Sequence, residues 1–494
     1  MNLALAFAQS ARSDFSKTAL FWGEAKFSYG QFWEQTLGVA QRLQSSLGVK
    51  RGDRVGVWLR NCPEFVPVLF GIWQAGAVAV PINNFLKPPE VQFMLADAGI
   101  ETIILDESMK DGFAKLASEQ PGLKAFFVES MASQTGQGAE ARADMAEGDL
   151  AVIVYTSGTT GHPKGAMLSH GNLLANVESC RLMLRAVGED RFAVLLPMFH
   201  SFMFTVGVLL PMLVGGSIVL IKTLHPPKNI IMEIIQHRAT LLPAVPQFFR
   251  ALTHSQAPVD LPLRLCISGG APLPAETLRE FTARFPMPLL EGYGLSEASP
   301  VVSFTPVNGP WKAGSIGVTI PGVEMTIQND AGELLPVGET GELCVRGDNV
   351  MLGYWNQPAA TAEAMRNGWL LTGDIGYADS DGYFYITDRK KDMLLVNGIN
   401  VYPREIEEVL YQFPDVKEAA VIGIPDVRKG EQPLAFVASQ EGVQLEEKAL
   451  LDYLHERLAE YKVPRKVVFM DALPRSATSK ILKTELRKLA KKPV

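Results

Sequence analysis

Cysteine is scarce in this chain: four in 494 residues, at positions 62, 180, 266 and 344, with no CxxC spacing among them. That excludes a thiolate zinc module and a disulfide-stapled secreted scaffold, and it points to a reducing, cytoplasmic setting. Positive charge is not in surplus either. Lys and Arg number 46 against 53 Asp and Glu, a formal net charge of -7, which argues against nucleic acid as the main partner. The opening MNLALAFAQSAR has no basic residue before Arg12, so it makes a poor export signal. There is no short-period repeat and no low-complexity tract. One long uncharged run exists, residues 201–221, but Gly207, Pro211, Gly215 and Gly216 interrupt it. Those breakers suit a buried helix followed by a buried strand better than a membrane span.

What is present is an alternation of helical and strand-like periodicity. Phe32, Val39, Leu43 and Leu47 recur at helical spacing; Val55, Val57 and Leu59 then alternate at period two. A helical PEFVPVLFGIWQAG and an apolar AVAVPI follow, the pattern of parallel sheet covered by helices. A chain this long divides into at least two lobes. The last hundred residues read as a small α/β unit, with strands in AAVIGI and PLAFVAS and a helix carrying Leu450, Leu454, Leu458 and Tyr461. Its boundary falls near the charged run DRKKDM, residues 388–393, whose ordinary reading is a solvated turn.

The segment YTSGTTGHPKGAMLSH, residues 155–170, follows an apolar strand and concentrates hydroxyls and glycines. Backbone amides freed by Gly158, hydroxyls of Thr156, Ser157, Thr159 and Thr160, and the cation of Lys164 are what a polyphosphate needs. Pro163 before Lys164 rules out a Walker A loop, which requires glycine there, and no GxGxxG follows the first strand.

With ISGGAPLP (267–274), EGYGLSE (291–297), WLLTGD (369–374), YITDRKKDM (385–393) and RSATSKI (475–481) in order, the chain resembles the adenylate-forming superfamily of acyl-CoA synthetases, luciferases and peptide-synthetase adenylation domains over nearly its whole length. The resemblance implies a large N-terminal α/β domain, residues 1–390, of layered sheets and helices. A small mobile C-terminal α/β domain, residues 391–494, would complete an active site between the two and turn about a hinge at Lys391.

It implies roles for particular residues as well. The loop from Thr156 to Lys164 holds the β- and γ-phosphates; Gly270, Ala271 and Pro272 line adenine, and Tyr293 stacks on it, with Glu291, Gly292, Gly294 and Ile386 also at the nucleotide. Ser296, where the family usually has Thr, offers a hydroxyl to the α-phosphate, and Glu297 ligates Mg²⁺. Asp374 and Arg389 take the ribose, while Lys480 bridges the carboxylate and the α-phosphate. Ser479 stands where the family has Gly. A coenzyme A tunnel runs near Gly398. His200 is either a pocket or gate residue or a satisfied core histidine; Phe199, Phe202, Met203, Phe204, Val245, Pro246 and Gln247 make an apolar pocket wall.

The expectation is therefore an ATP-, Mg²⁺- and coenzyme A-dependent ligase activating a medium- or long-chain fatty acid as its acyl-adenylate. An enzyme loading an aryl or fatty acid onto a carrier protein is the alternative, followed by a luciferase-like oxygenase and a non-catalytic nucleotide-binding regulator. Glu297, Asp374 and Lys480 all being present speaks against the regulator. The partners are small molecules, with a homodimer left open. Lys483, Arg487, Lys488, Lys491 and Lys492 complement a helix C-terminus, weak peripheral attraction to membrane being the alternative.

Overall fold

The computed structural model describes residues 1–133, 145–156, 163–397, 399–426, 430–476 and 480–490. Helix Tyr29–Gln41 starts on a capping box, in which the Ser28 hydroxyl accepts from Gln31 N and the Gln31 side chain accepts from Ser28 N. It buries Phe32 and Val39 and ends in a wide turn, Arg42–Ser46, that buries Leu43. Helix Phe65–Gln74 tolerates Pro67 because the proline sits in the first turn, where no intrahelical N–H bond is lost. The two helices cross at Gly71, where a Cβ would lie 2.5 Å from Val39.

Three sheets are built on these helices, counted over the described residues. The first has seven strands and runs parallel through Val78–Pro81, Arg54–Trp58, Thr102–Leu105 and Lys124–Phe127, with Leu150–Thr156 joining the same parallel set. The second has fourteen. Its parallel portion, Thr18–Trp22, Ser217–Leu220, Arg191–Val194, Leu241–Ala244, Leu265–Ser268 and Leu289–Gly294, passes into antiparallel Val301–Phe304 and Ser315–Thr319, then Phe384–Arg389 and Trp369–Ala378. Parallel strands place their C-terminal ends, and the loops that follow, along one edge. The loops opening with Leu195, Val245, Gly269 and Leu295 therefore share that edge.

Residues 201–221 form a buried wide-turned helix Met203–Leu209, a turn Leu210–Leu213 and a buried strand Ser217–Leu220. No helix among the described residues is long and apolar enough to cross a membrane. The third sheet has five strands, all beyond residue 393, and the residues around it pack into two apolar clusters of their own. Helix Glu447–His455 is shorter than its stripe suggested. The chain continues through the turn Glu460–Lys462, and Leu458 and Tyr461 reach the same core from outside the helix.

The charged run at 388–393 is a solvated turn only at Lys390 and Lys391, which are exposed. Asp388 is buried and accepts from the backbone N–H of Arg389 and Arg404; Asp392 is buried against Arg487. Strands Trp369–Ala378 and Phe384–Arg389 approach so closely at Gly376 that a Cβ would lie 1.9 Å from the Tyr385 carbonyl. Gly376→Ala is expected to cost about 3 kcal/mol. It should appear as a lower denaturant midpoint at unchanged slope; an unmoved midpoint would refute this close approach.

Candidate active site between two lobes

Strands Leu150–Thr156 and Lys164–Ser169 pair antiparallel with Thr156 opposite Lys164, and the Thr156 hydroxyl donates to the Lys164 carbonyl at 3.4 Å. Ser157, Gly158, Thr159 and Thr160 lie outside the described residues. Their loop joins two strands, whereas a Walker A loop joins a strand to a helix. Lys164 Nζ stands 5.2 Å from the centre of the Tyr354 ring, and the Tyr354 hydroxyl donates to Glu297 Oε1 at 2.9 Å. Burial and the charge of Glu297 both raise the pKa of that phenol, which keeps it a donor.

The turn Ser296–Ala298 is held from several sides. Asn349 Nδ2 donates to the Ala298 carbonyl at 2.9 Å, Met351 N to the Glu297 carbonyl at 2.8 Å, and Thr205 Oγ1 to the Ser299 carbonyl at 2.8 Å. The Ser296 hydroxyl lies 3.0 Å from that of Ser201. Tyr354, Asn349 and Ser201 were invisible to motif reading because each acts through a fold contact distant in sequence.

Strand Leu289–Gly294 feeds this turn. Gly292 and Gly294 are glycines for packing: a Cβ would meet the Phe304 ring at 2.5 Å and the Pro300 carbonyl at 2.1 Å. Glu291 is buried, its carboxylate accepting from Leu273 N at 3.0 Å, so it fastens the Gly270–Ala271–Pro272 loop from beneath. Burial pushes its pKa up to about 7 against the pull of Arg404. Gly270 has φ +79 with nothing within 4 Å of a would-be Cβ, an open shelf beside Tyr293.

The Tyr293 hydroxyl donates to Asp374 Oδ2 at 2.6 Å, and Asp374 sits directly across the strand pair from Arg389, Oδ1 to Nε 3.5 Å. Buried Glu342 shapes the turn before Asp374 by accepting from Gly373 N and Lys390 Nζ, both at 3.1 Å; no sequence motif advertises it. Ile386 is half-buried and its carbonyl accepts from Arg404 at 3.0 Å.

Lys480 enters from the other lobe on a tight turn in which Ser476 N donates to the Lys480 carbonyl at 2.8 Å and Lys480 N to the Ser476 hydroxyl at 3.2 Å. Burial first, then the charge of Arg389 and of Lys391, lower its pKa to about 8, with Asp374 and Asp392 opposing. Lys391 is exposed; desolvation by the surrounding chain and Arg389 lower its pKa in turn. Three crowded cations around Asp374 are what a polyanion would relieve. The residues present thus fit a nucleotide. Among the described residues no three His, Cys, Asp or Glu side chains could hold a metal together, so a Mg²⁺ here would lean on Glu297 and phosphate oxygens.

His200 is pushed down to about 4, by burial and then by the charge of Lys480, and its Nδ1 accepts from Phe202 N at 3.4 Å. It is neutral at physiological pH, and it brings the apolar wall up to Lys480. Phe202 lies under the shelf, within 3.0 Å of a would-be Cβ on Gly269, and Phe199 meets Phe85 edge-on at 6.5 Å. Val245 and Pro246 are buried where helix Pro246–His254 begins, and Gln247 is exposed. Met203 and Phe204, the other residues of the expected wall, lie deeper. Both are buried in the main core, Phe204 edge-on to Trp73, because the wide helical turn that opens at Met203 directs both inward. Gly398 lies outside the described residues.

Residues 7–355 match the family model described as AMP-binding enzyme, and residues 405–480 that of the AMP-binding enzyme C-terminal domain. The chain belongs to the AMP-binding enzyme family. Similar to it are a feruloyl-CoA synthase from Amycolatopsis sp, 37% identical with 97% of each chain covered, and a long-chain-fatty-acid–CoA ligase from Bacillus subtilis (strain 168), 36% identical with 95% of this chain and 91% of the ligase covered. Among solved structures, ATP-bound MatB from Rhodopseudomonas palustris superposes at TM-score 0.93 with 34% identity over 99% of both chains; apo MatB gives 0.80 at 33% identity and the same coverage. This AMP-binding enzyme is an AMP-forming acid–thiol ligase of the acyl-CoA synthetase type, with ATP and coenzyme A as co-substrates and Mg²⁺ as cofactor.

Because Phe204 packs in the core of this AMP-binding enzyme, Phe204→Ala should cost about 3–5 kcal/mol of stability. The ranking of acids by kcat/KM should stay as it was. A re-ordered ranking at unchanged stability would return Phe204 to the pocket wall.

Proposed function

We propose that this ligase joins an apolar monocarboxylic acid, a medium- or long-chain fatty acid, to coenzyme A through an acyl-adenylate. The observation that carries the reading is the meeting of Lys480, from one lobe, with Tyr293, Asp374 and Arg389 of the other, beside a wall that has no charge. Phe199, Phe202, Val245 and Pro246 are apolar and His200 is neutral, so nothing in that wall would pair a second carboxylate.

In the first half-reaction an oxygen of the substrate carboxylate attacks the α-phosphorus of ATP, the bond to the β-phosphate oxygen breaks, and pyrophosphate leaves. Asp374, with Arg389 beside it, accepts from the ribose hydroxyls; the Gly270 shelf and Tyr293 take the base; Lys164 and the loop before it hold the outer phosphates. Ser296 donates to the α-phosphate. Lys480 approaches both anions and offsets the charge that accumulates where they meet. Bound Mg²⁺ supplies further charge neutralisation at the phosphates, and Glu297, oriented by Tyr354, is the carboxylate placed to hold it.

In the second half-reaction the residues from Lys391 onward turn about that lysine, Lys480 withdraws, and a thiol reaches the acyl carbon. The thiol gives its proton to solvent, its sulfur bonds to the carbonyl carbon, and AMP leaves with the anhydride oxygen. A second reading, an aryl acid, draws support from the edge-on pair of half-buried Phe199 with exposed Phe85, which offers a flat ring two aromatic neighbours.

AMP and pyrophosphate release should be measured with Mg-ATP and acids from acetate to palmitate plus benzoate and cinnamate, with and without coenzyme A. Octanoate to palmitate should lead and AMP release should need coenzyme A; cinnamate leading would select the aryl reading, and pyrophosphate release without turnover would point to a carrier-bound thiol. Lys480→Ala should abolish adenylate formation and spare thioester formation from supplied acyl-adenylate.

The pH dependence has a definite sign. The ammonium is the working form of Lys480, so kcat/KM for ATP should be full below about 8 and fall as pH rises through it. Lys480→Arg, which keeps its charge, should lose that limb; an unchanged limb would assign it to another group.

A further inference from the structure

Helix Pro246–His254 begins with the pocket residues Val245 and Pro246 and then reaches across to the other lobe. Arg250 donates from Nη1 to the Lys417 carbonyl at 3.0 Å and from Nη2 to the Val416 carbonyl at 2.5 Å, and its guanidinium stands 5.6 Å from the centre of the Tyr411 ring. Both carbonyls belong to the first residues of strand Val416–Asp426. One turn earlier on the helix, Gln247 Nε2 donates to Glu418 Oε1 at 3.1 Å.

Glu418 is buried, and its two oxygens are fully engaged. Oε1 also takes Arg475 Nη2 at 3.0 Å, and Oε2 takes Leu473 N at 3.0 Å. Arg475 bridges to Ile481 across the turn that carries Lys480. An unbroken series of short contacts thus runs from the acyl-pocket helix through Gln247, Glu418 and Arg475 to the base of the Lys480 turn. Arg250 clamps the strand on which Glu418 sits.

We propose that Arg250 and Glu418 are positioning residues for the first half-reaction: they tie the helix that walls the acid to the turn that presents Lys480, so that the lysine is placed only while the lobes stand in this arrangement. The proposal rests on the adenylation role given to Lys480. A charged donor on two backbone carbonyls and a buried carboxylate on a guanidinium are the stronger kinds of hydrogen bond. The Arg250 and Gln247 bonds cross between the lobes and break when these part, while the Glu418–Arg475 pair stays within the small lobe and carries their effect to the Lys480 turn. Neither residue contacts the reacting atoms.

The test separates the half-reactions in the full-length enzyme. Arg250→Ala should slow acid-dependent ATP–pyrophosphate exchange by about 10- to 100-fold, through kcat rather than the KM for ATP, since the shelf and Asp374 are untouched. Thioester formation from supplied acyl-adenylate and coenzyme A should be retained or faster, and thermal stability should hold because the contact lies between lobes. Glu418→Gln, which keeps shape and removes charge, should show the same split in milder form, and Arg250→Lys should recover part of the exchange rate. Equal loss of both half-reactions, or no loss in either, would overturn the proposal. If Lys480→Ala itself fails to split the half-reactions, the adenylation role of that lysine falls instead, whatever Arg250 does.

Discussion

Holding a lysine ammonium in a half-buried cleft beside two other cations is unfavourable, and the site is organised around that constraint. Lys480 stands near Arg389 and Lys391, with Asp374 and Asp392 as the opposing charges. Asp374 is also engaged by Tyr293 and Arg389, and Asp392 by Arg487, so neither carboxylate is left to Lys480 alone. The cleft is therefore short of negative charge by design of its neighbours, and a polyphosphate joined to a carboxylate supplies it. Burial first, and then the crowding of cations, push Lys480 down to about 8, and a bound anion would raise it again.

That arrangement needs rigid parts, and the sheets provide them. Asp374 and Arg389 face each other because their strands pair in register, and the pair is shaped by Gly376, where the backbones touch. Tyr293 reaches Asp374 because its strand ends at the edge shared with the parallel strands beside it. Glu342 and Glu291 work a layer back. Each is a buried carboxylate whose bond to a backbone N–H fixes a loop, Gly373 in one case and Leu273 in the other.

Much of this was legible in the sequence. Glycines, hydroxyls and single charged residues in short motifs carry their chemistry wherever the motif goes, which is why Tyr293, Asp374, Arg389 and Lys480 could be named and then found together. The helix–strand alternation gave the parallel sheets for the same reason: periodicity is local. Contacts between distant segments were not legible. Tyr354 meets Glu297 through a strand pair with Lys164–Ser169, and Arg250 binds backbone carbonyls, acceptors that every residue type offers. How deeply Met203 and Phe204 sit was not legible either, because an apolar run beside His200 gives no phase of its own. A wide helical turn set the phase and sent both into the core.

The bonds between the lobes bear on the two half-reactions proposed for the ligase. The lobe beyond residue 393 has apolar clusters of its own, separate from those of the large lobe. What crosses the gap at Gln247, Arg250 and Ala275 is hydrogen bonding, to Glu418, to the Val416 and Lys417 carbonyls, and to Glu408. Water can replace each of these partners when the lobes part, whereas an apolar interface of the same extent would have to be exposed. A polar seam is therefore specific in register yet inexpensive to open. Directional bonds that hold only at one relative position of the lobes, rather than buried area, are what the proposed mechanism requires if the small lobe is to present Lys480 for one reaction and leave the cleft for the next.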